Sequence, residues 1–137
     1  MSLKLKMDVD VPENLLSEIL VTAFDGEDAG CLYWAEVRDY EDGVRDWLIT
    51  EFGSDNWLSV QIGDVEDDSK GPWIVDHSVI VRGMQEILLR DYRGSQALLK
   101  LQGYIREAVI EDDGSHLDAI AVDTIIQIGL FGEEVYA

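Results

Sequence analysis

Apolar residues near the start of the chain recur at the spacing of one face of an α-helix. Asp10 is predicted as the N-cap, and Pro12 stands near the first helical position, where its missing N–H costs nothing. The pattern predicts an amphipathic helix over Pro12–Phe24, ended by Gly26 in a left-handed conformation. The inward residues of this helix are Leu15, Leu16, Ile19, Leu20, Ala23 and Phe24.

The next part of the chain has the patterns of β-strands, with clean apolar–polar alternation in Trp57–Val65 and an apolar segment with β-branched residues in Val44–Phe52. Acidic, glycine-containing turns separate the alternating segments, so neighbouring strands are expected to form an antiparallel meander of three or four strands. The segments predicted as strands are Cys31–Tyr40, Val44–Phe52, Trp57–Val65 and Pro72–Val75.

Helical spacing returns beyond the predicted strands. Asp76 and Ser95 each precede an apolar stripe and are predicted as N-caps. A last helix is predicted over Leu117–Ile128, and Gly129 would end it. The order of elements predicts an α+β fold with an N-terminal helix, a small antiparallel sheet of three to four strands and three C-terminal helices.

The strong negative charge of the chain limits its possible binding partners more than the rest of its composition does. Lys and Arg number 10 against 29 Asp and Glu, which gives a formal net charge of −19. Such a surface repels nucleic acid and anionic membranes, so we predict neither direct nucleic-acid binding nor membrane association. The same surface attracts basic proteins. One interpretation of this charge is solubility or adaptation to a salty environment. The other is a nucleic-acid mimic, because duplex DNA carries one charge per about 1.7 Å and so has a comparable total charge over the width of such a domain.

Length and cysteine content bound the class of protein. The 137 residues, 47% of them apolar, predict a single folded domain over residues 1–137. Cys31 is the only cysteine, which excludes an internal disulfide and favours a reducing, cytoplasmic location. No apolar run approaches the roughly 20 residues that a membrane-spanning helix needs.

Adjacent aromatic residues, Tyr33 and Trp34, follow the acidic turn after the first helix. On a strand they would face opposite sides of the sheet, so that one fills the core and the other is available to a partner. One interpretation is packing alone. The other is a stacking platform for a base or another flat ligand, with Asp25 and Gly26 of the turn beside it.

Three carboxylates at alternate positions, Asp64, Glu66 and Asp68, resemble the beginning of a calcium loop. The loop pattern fails because Ser69 replaces the required glycine and Val75 the required final glutamate. At a strand end the three side chains would share one face and form a weak Mg²⁺ or Mn²⁺ site. The alternative is a solvated turn.

The end of the chain is an apolar hook after the last predicted helix. Phe131 and Tyr136 are its large members. They are expected either to pack back on the domain or, if exposed, to form a homodimer interface.

Several of these segments together resemble small uncharacterised proteins of tailed bacteriophages and prophages. Those proteins read TA-F/L/I-E-G-G and then YW, as residues 22–26 followed by Tyr33 and Trp34 do here, except that Asp25-Gly26-Glu27 replaces the double glycine. The QIGLFGEEVY sequence of residues 127–136 resembles their C-terminal motif, and residues 76–83 resemble their D-x-x-x-I-x-R-G segment. The resemblance implies phage or viral origin and an accessory role in the host cytoplasm. It brings no established activity with it.

The leading prediction is therefore a non-enzymatic, acidic, phage-like accessory protein that binds a host or viral protein. A basic partner or a nucleic-acid-binding protein fits its charge, and no cofactor is predicted. One alternative is a small-molecule binding protein with a nucleotide-like ligand. Another is a metal-dependent enzyme that uses Asp64, Glu66 and Asp68.

Overall fold

A computed structural model describes residues 9–40 and 58–137 of the chain. The predicted strand Val44–Phe52 and the first residue of Trp57–Val65 lie outside these residues. The elements are α1 (Glu13–Phe24), β1 (Ala35–Tyr40), β2 (Ser59–Asp64), β3 (Trp73–Asp76), α2 (His77–Leu89), α3 (Gln96–Ile110) and α4 (Ala119–Phe131). The protein thus has the predicted α+β fold, with an N-terminal helix, a three-stranded antiparallel sheet and three further helices.

Helix α1 begins one residue later than predicted and is capped differently. Pro12 is the N-cap, with extended backbone and no side-chain cap, so the prediction of Asp10 as the cap is wrong. The helix ends at Phe24 as predicted, and Gly26 has a φ of 88° two residues beyond it. Glycine adopts this left-handed conformation without the steric cost that a Cβ would add.

The sheet has the order β1-β2-β3, and both pairs of neighbouring strands are antiparallel. Its buried face is made by Val60, Ile62 and Val75, each 0% exposed. Strand β1 begins at Ala35, so the predicted start at Cys31 is wrong. The register of β1 against β2 shifts between Val37 and Asp39.

The N-caps of the later helices follow the local chemistry of the sequence. Asp76 accepts a hydrogen bond from the Val79 N–H, and Ser95 accepts one from the Leu98 N–H, as predicted. Such a cap satisfies one of the amide groups that have no partner inside the helix.

Helix α4 extends beyond its predicted end. It begins after its N-cap, Asp118, continues through Gly129 and ends at Phe131, so the prediction that Gly129 ends it is wrong. Gly132, with a φ of 79°, is the left-handed residue that ends this helix.

Gly129 instead serves the crossing of α2 and α4, the most extensive helix–helix contact. A Cβ on Gly129 would collide with the Val79 carbonyl, and one on Gly83 would collide with the Ile125 carbonyl. Two glycines, one on each helix, therefore bring the two backbones together. Helix α1 packs against both helices, and α3 packs against α2.

None of the helices in residues 9–40 and 58–137 has both the length and the apolar character required to cross a membrane.

Candidate functional site

The turn between α1 and β1 is folded onto the end of α1 by backbone hydrogen bonds. The Gly30 N–H donates to the Thr22 carbonyl, and the Cys31 N–H donates to the Ala23 carbonyl. The N–H groups of Trp34 and Ala35 both donate to the Cys31 carbonyl, which forms a further turn. Tyr33 and Trp34 therefore lie in a turn and not on a strand, contrary to the prediction.

Gly30 explains how closely this turn approaches α4. A Cβ on Gly30 would overlap the carbonyl oxygen of Ala119, the first residue of that helix. Only glycine fits this contact without moving the backbone. The turn consequently places two consecutive aromatic side chains beside one face of α4.

Asp123 of α4 accepts hydrogen bonds from both aromatic residues. Its Oδ2 accepts from the Tyr33 hydroxyl at 2.6 Å, and its Oδ1 accepts from Trp34 Nε1 at 2.8 Å. Gln127, one helical turn later, donates from Nε2 to the same Oδ1 at 3.0 Å. A carboxylate that accepts three such bonds fixes the orientation of all three donors.

The two aromatic residues nevertheless differ in exposure. Trp34 is 3% exposed and belongs to the core, whereas Tyr33 is 52% exposed. Hydrogen bonding to Asp123 thus anchors the hydroxyl end of Tyr33 and leaves much of its side chain open to solvent. Burial, together with the bond to Asp123, raises the pKa of the Tyr33 hydroxyl above its usual value.

Cys31 lies in the same turn and is fully buried. Burial raises the pKa of its thiol far above the usual value, and the nearby Asp123 carboxylate raises it further. The thiol is therefore neutral at physiological pH and is not an activated nucleophile.

The C-terminal segment, residues 132–137, returns to this site after α4. Gln127 Oε1 accepts hydrogen bonds from the N–H groups of Val135 and Tyr136, each at 2.8 Å. Gln127 Nε2 also donates to the Tyr136 carbonyl at 3.1 Å. One buried amide side chain therefore holds two residues of the segment by their backbone.

Tyr136 and Phe131, the two predicted interface residues, form an aromatic cluster with Trp34 and Trp73. The Tyr136 ring stacks on Trp34 with centroids 4.5 Å apart and planes 8° apart. The ring centroid of Phe131 lies 5.9 Å from that of Trp34 and 5.2 Å from that of Trp73, and both pairs pack edge to face. Both predicted residues are half-buried in this intramolecular cluster, which corresponds to packing back on the domain.

Two shallow clefts lie on either side of Tyr33. One, of about 150 Å³, is lined by residues that include Asp64, Val65 and Glu66, and the other, of about 320 Å³, by residues that include Asp28 and Ile120. The described lining of both clefts contains carboxylates and no Lys, Arg or His.

The residues of the glycine turn that were predicted to contact a ligand lie apart from the two clefts. Asp25 and Gly26 are both exposed, and neither belongs to the described lining of the clefts beside Tyr33. Gly30 and Asp28, later in the same turn, line the larger cleft instead.

The predicted metal ligands are not brought together. Asp64 is buried at the end of β2. Its carboxylate accepts hydrogen bonds from the N–H groups of Glu66 and Asp67 and from the hydroxyl of Tyr136. The Glu66 N–H bond and then the Tyr136 bond lower the pKa of Asp64. Glu66 and Asp68 lie in the turn beyond the strand, so the prediction that the three share one face is wrong. Residues 9–40 and 58–137 contain no group of three His, Cys, Asp or Glu side chains placed to hold a metal ion.

Sequence reasoning missed Asp123 and Gln127 as members of the site. Their signal is polarity within a largely apolar helix, at positions one helical turn apart, and Gln127 also begins the C-terminal motif of residues 127–136. Polar residues on the buried side of a helix require partners, and these two find them in the turn and in the C-terminal segment.

Comparison of the chain with protein-family models, with curated proteins and with solved structures finds no match. The resemblance to tailed-phage proteins therefore stays a prediction.

Proposed function

We propose that the protein is a non-enzymatic binding protein that takes a basic segment of a partner protein on the surface around Tyr33. This Tyr33 surface consists of Tyr33, Asp28, Val65, Glu66 and Ile120. The observation that carries the proposal is an exposed aromatic ring anchored by its hydroxyl between two exposed carboxylates.

An aromatic face with flanking carboxylates suits a Lys or Arg side chain. A cation over a tyrosine ring gains about 0.5–1 kcal/mol at an exposed site, and neighbouring carboxylates add charge attraction. The bond from Tyr33 to Asp123 holds the ring before binding, which reduces the entropy lost on association. Val65 and Ile120, 42% and 78% exposed, offer apolar contact to the stems of such side chains.

The rest of the molecule strengthens this preference at long range. The net charge of −19 steers cations toward the protein and raises association rates at low salt. Several of the few cationic side chains are engaged within the fold. Arg82 donates to the Gly129 carbonyl, and Arg90 donates to the Gly132 carbonyl.

A basic partner of this kind includes proteins that bind nucleic acid, for which an acidic surface is a competitor. The resemblance to phage accessory proteins is compatible with such a host or viral partner. A nucleotide-like ligand ranks second, because Asp28 and Glu66 would repel its phosphates on both sides of Tyr33. A metal-dependent reaction ranks third, because Asp64 is already hydrogen-bonded within the fold.

The proposal is tested with a labelled synthetic peptide rich in Lys and Arg, titrated by fluorescence anisotropy at low salt. The double variant Asp28→Asn/Glu66→Gln should weaken binding about 5- to 10-fold, from two exposed charge contacts. The matched control is Glu13→Gln/Glu18→Gln on α1, which removes the same charge from two other exposed positions and should change binding less than about 2-fold.

Equal weakening by both double variants would refute the proposal, because it would assign binding to net charge alone. Binding that persists unchanged above about 0.5 M salt, where exposed charge pairs are screened, would also refute the proposal, because it would not depend on charge. A thermal-shift panel of nucleotides tests the alternative, since a ligand at 100 times its Kd stabilises a protein by about 2.7 kcal/mol.

A further inference from the structure

The C-terminal segment is bound to the rest of the fold as a peptide ligand would be. Gln127 recognises the backbone of Val135 and Tyr136 through three hydrogen bonds that do not depend on the side chains of those residues. Bound peptides are commonly held through main-chain hydrogen bonds, which give affinity, together with side-chain pockets, which give specificity.

Two side chains of the segment are recognised specifically. The Tyr136 ring stacks on Trp34, and its hydroxyl donates to Asp64 Oδ2 at 2.8 Å. Glu134 Oε1 accepts a hydrogen bond from Thr124 Oγ1 at 2.7 Å. The sequence that the site reads is therefore Glu-x-Tyr, held so that two consecutive N–H groups face the same Gln127 oxygen.

The polar groups that contact the segment come from the buried part of the fold. Asp64 is 6% exposed, Thr124 8% and Gln127 1%. Gln127 Oε1 receives both of its described hydrogen bonds from the segment. A buried polar group that loses its partner costs about 1–3 kcal/mol, so this cleft strongly favours being filled.

The segment is joined to α4 through a single left-handed residue. Gly132 is exposed, has a φ of 79° and has no atom within 4 Å of the position of a Cβ. Gly132 is attached to the fold by the hydrogen bond from Arg90 to its carbonyl, and the contacts of residues 134–136 hold the rest of the segment in place.

We propose that Trp34, Asp64, Thr124 and Gln127 form a peptide-recognition site for a Glu-x-Tyr segment. The chain's own C-terminal segment fills this site, and a partner protein that carries the same pattern displaces it. This inference stands on the contacts of the segment and does not rest on the function proposed for the Tyr33 surface.

Charge favours a different protein over a second copy as the source of the incoming segment. Two copies each bring a net charge of −19 and repel one another. A neutral or basic protein with an exposed Glu-x-Tyr stretch meets no such repulsion.

The tethered segment competes at a high effective concentration, in the millimolar range for a short connection. An added peptide therefore meets a site that is mostly occupied, and its apparent affinity is the intrinsic affinity multiplied by the small fraction of sites that are open. Substitution of the chain's own Tyr136 should weaken binding of the tethered segment. The apparent affinity for an added peptide should then approach the intrinsic affinity of the site.

The test uses the labelled peptide Gly-Glu-Glu-Val-Tyr-Ala, which is the sequence of residues 132–137. In the full-length chain, Tyr136→Ala should tighten peptide binding about 10-fold or more relative to the unsubstituted protein. Val135→Ala is the matched control, because Val135 is 53% exposed and keeps its N–H, and it should leave binding within about 2-fold. A peptide with Ala in place of Tyr should bind neither variant.

The Trp34 indole N–H signal in NMR spectra locates the binding, since that group donates to Asp123 at the floor of the site. It should shift on Tyr136→Ala substitution and return toward its original position when the peptide is added. Equal affinity of the peptide for Tyr136→Ala and for the unsubstituted chain, with folding confirmed by circular dichroism, would overturn the proposal.

A second preparation guards against misfolding of Tyr136→Ala. A protease recognition sequence inserted between Gly132 and Glu133 allows the segment to be cut after the chain has folded. The cut protein should release residues 133–137 on dialysis and bind the added peptide saturably. A cut protein that stays folded and does not bind the peptide would contradict the proposed site.

Dimerisation of the intact chain is a separate outcome. A concentration-dependent dimer that Tyr136→Ala abolishes would assign the site to a second copy and overturn the partner assignment.

Discussion

The substitution Gly129→Ala tests how closely α2 and α4 pack where they cross. An ideal Cβ on Gly129 would lie 2.1 Å from the Val79 carbonyl oxygen and 3.0 Å from its carbonyl carbon. Ordinary van der Waals contact of a Cβ begins at 3.4 Å, so the helices would have to separate by about 1 Å in a close-packed interior.

The expected magnitude follows from two opposing terms. Overpacking of a close-packed interior costs about 1–3 kcal/mol, and here more because rigid backbone rather than a flexible side chain must move. Replacing a glycine within a helix by alanine stabilises the helix by about 1 kcal/mol through its higher helix propensity. The net loss of about 1–3 kcal/mol should lower Tm by about 3–10 °C for a chain of this size.

Gly103→Ala is the matched control for this measurement. Gly103 lies within α3, is exposed and has nothing within 4 Å of its Cβ position. It should gain up to about 1 kcal/mol from helix propensity alone. Urea denaturation of both variants gives the comparison, and a Gly129→Ala protein as stable as Gly103→Ala would show that the helices do not cross so closely.

Three further outcomes are expected. Asp123→Ala should reduce the free energy of unfolding by about 2–3 kcal/mol in urea denaturation, because it leaves the buried Trp34 Nε1 without its acceptor; an unchanged midpoint would contradict the hydrogen-bonding role of Asp123. Burial, then the hydrogen bond to Asp64 and the charge of Asp64, raise the pKa of the Tyr136 hydroxyl from its usual value to about 12. The resulting stability is present below about pH 10 and is lost as pH rises toward 12, so Tyr136→Phe should flatten this part of an alkaline denaturation profile. Asp76→Ala should cost about 1 kcal/mol through loss of the α2 cap, and Asp76→Asn much less, by thermal melting. Burial opposes ionisation of Asp76, but bonds from Ser78 and Val79 outweigh it and lower its pKa, so its contribution is present above about pH 4 and is lost as pH falls.

The local features of the fold could be predicted because their causes lie within a few residues. The caps at Asp76 and Ser95 depend on a side-chain oxygen and an amide three positions later, which the sequence displays directly. Helix α1 follows likewise from its apolar spacing. The fold class follows from the order of such elements.

Predictions failed where distant residues decide the structure. Gly129 after an apolar stripe has the form of a helix stop, and only the approach of α2 explains why the helix continues through it. The alternation from Cys31 to Tyr40 has the form of a strand, but the end of α1 folds its first residues into a turn. Asp123 and Gln127 acquire their roles from that turn and from the C-terminal segment, which no local pattern reveals.

The hydrogen bonds that complete the site also join the extremes of the described chain. Tyr33 and Trp34 reach Asp123 across 90 and 89 positions, and Tyr136 reaches Asp64 across 72. Contacts of such sequence separation close large loops and slow the search for the native state. During synthesis, the apolar ring of Trp34 lacks these contacts until α4 and the residues after it have been made. A stalled or prematurely ended chain would therefore present that ring to chaperones or to other nascent chains.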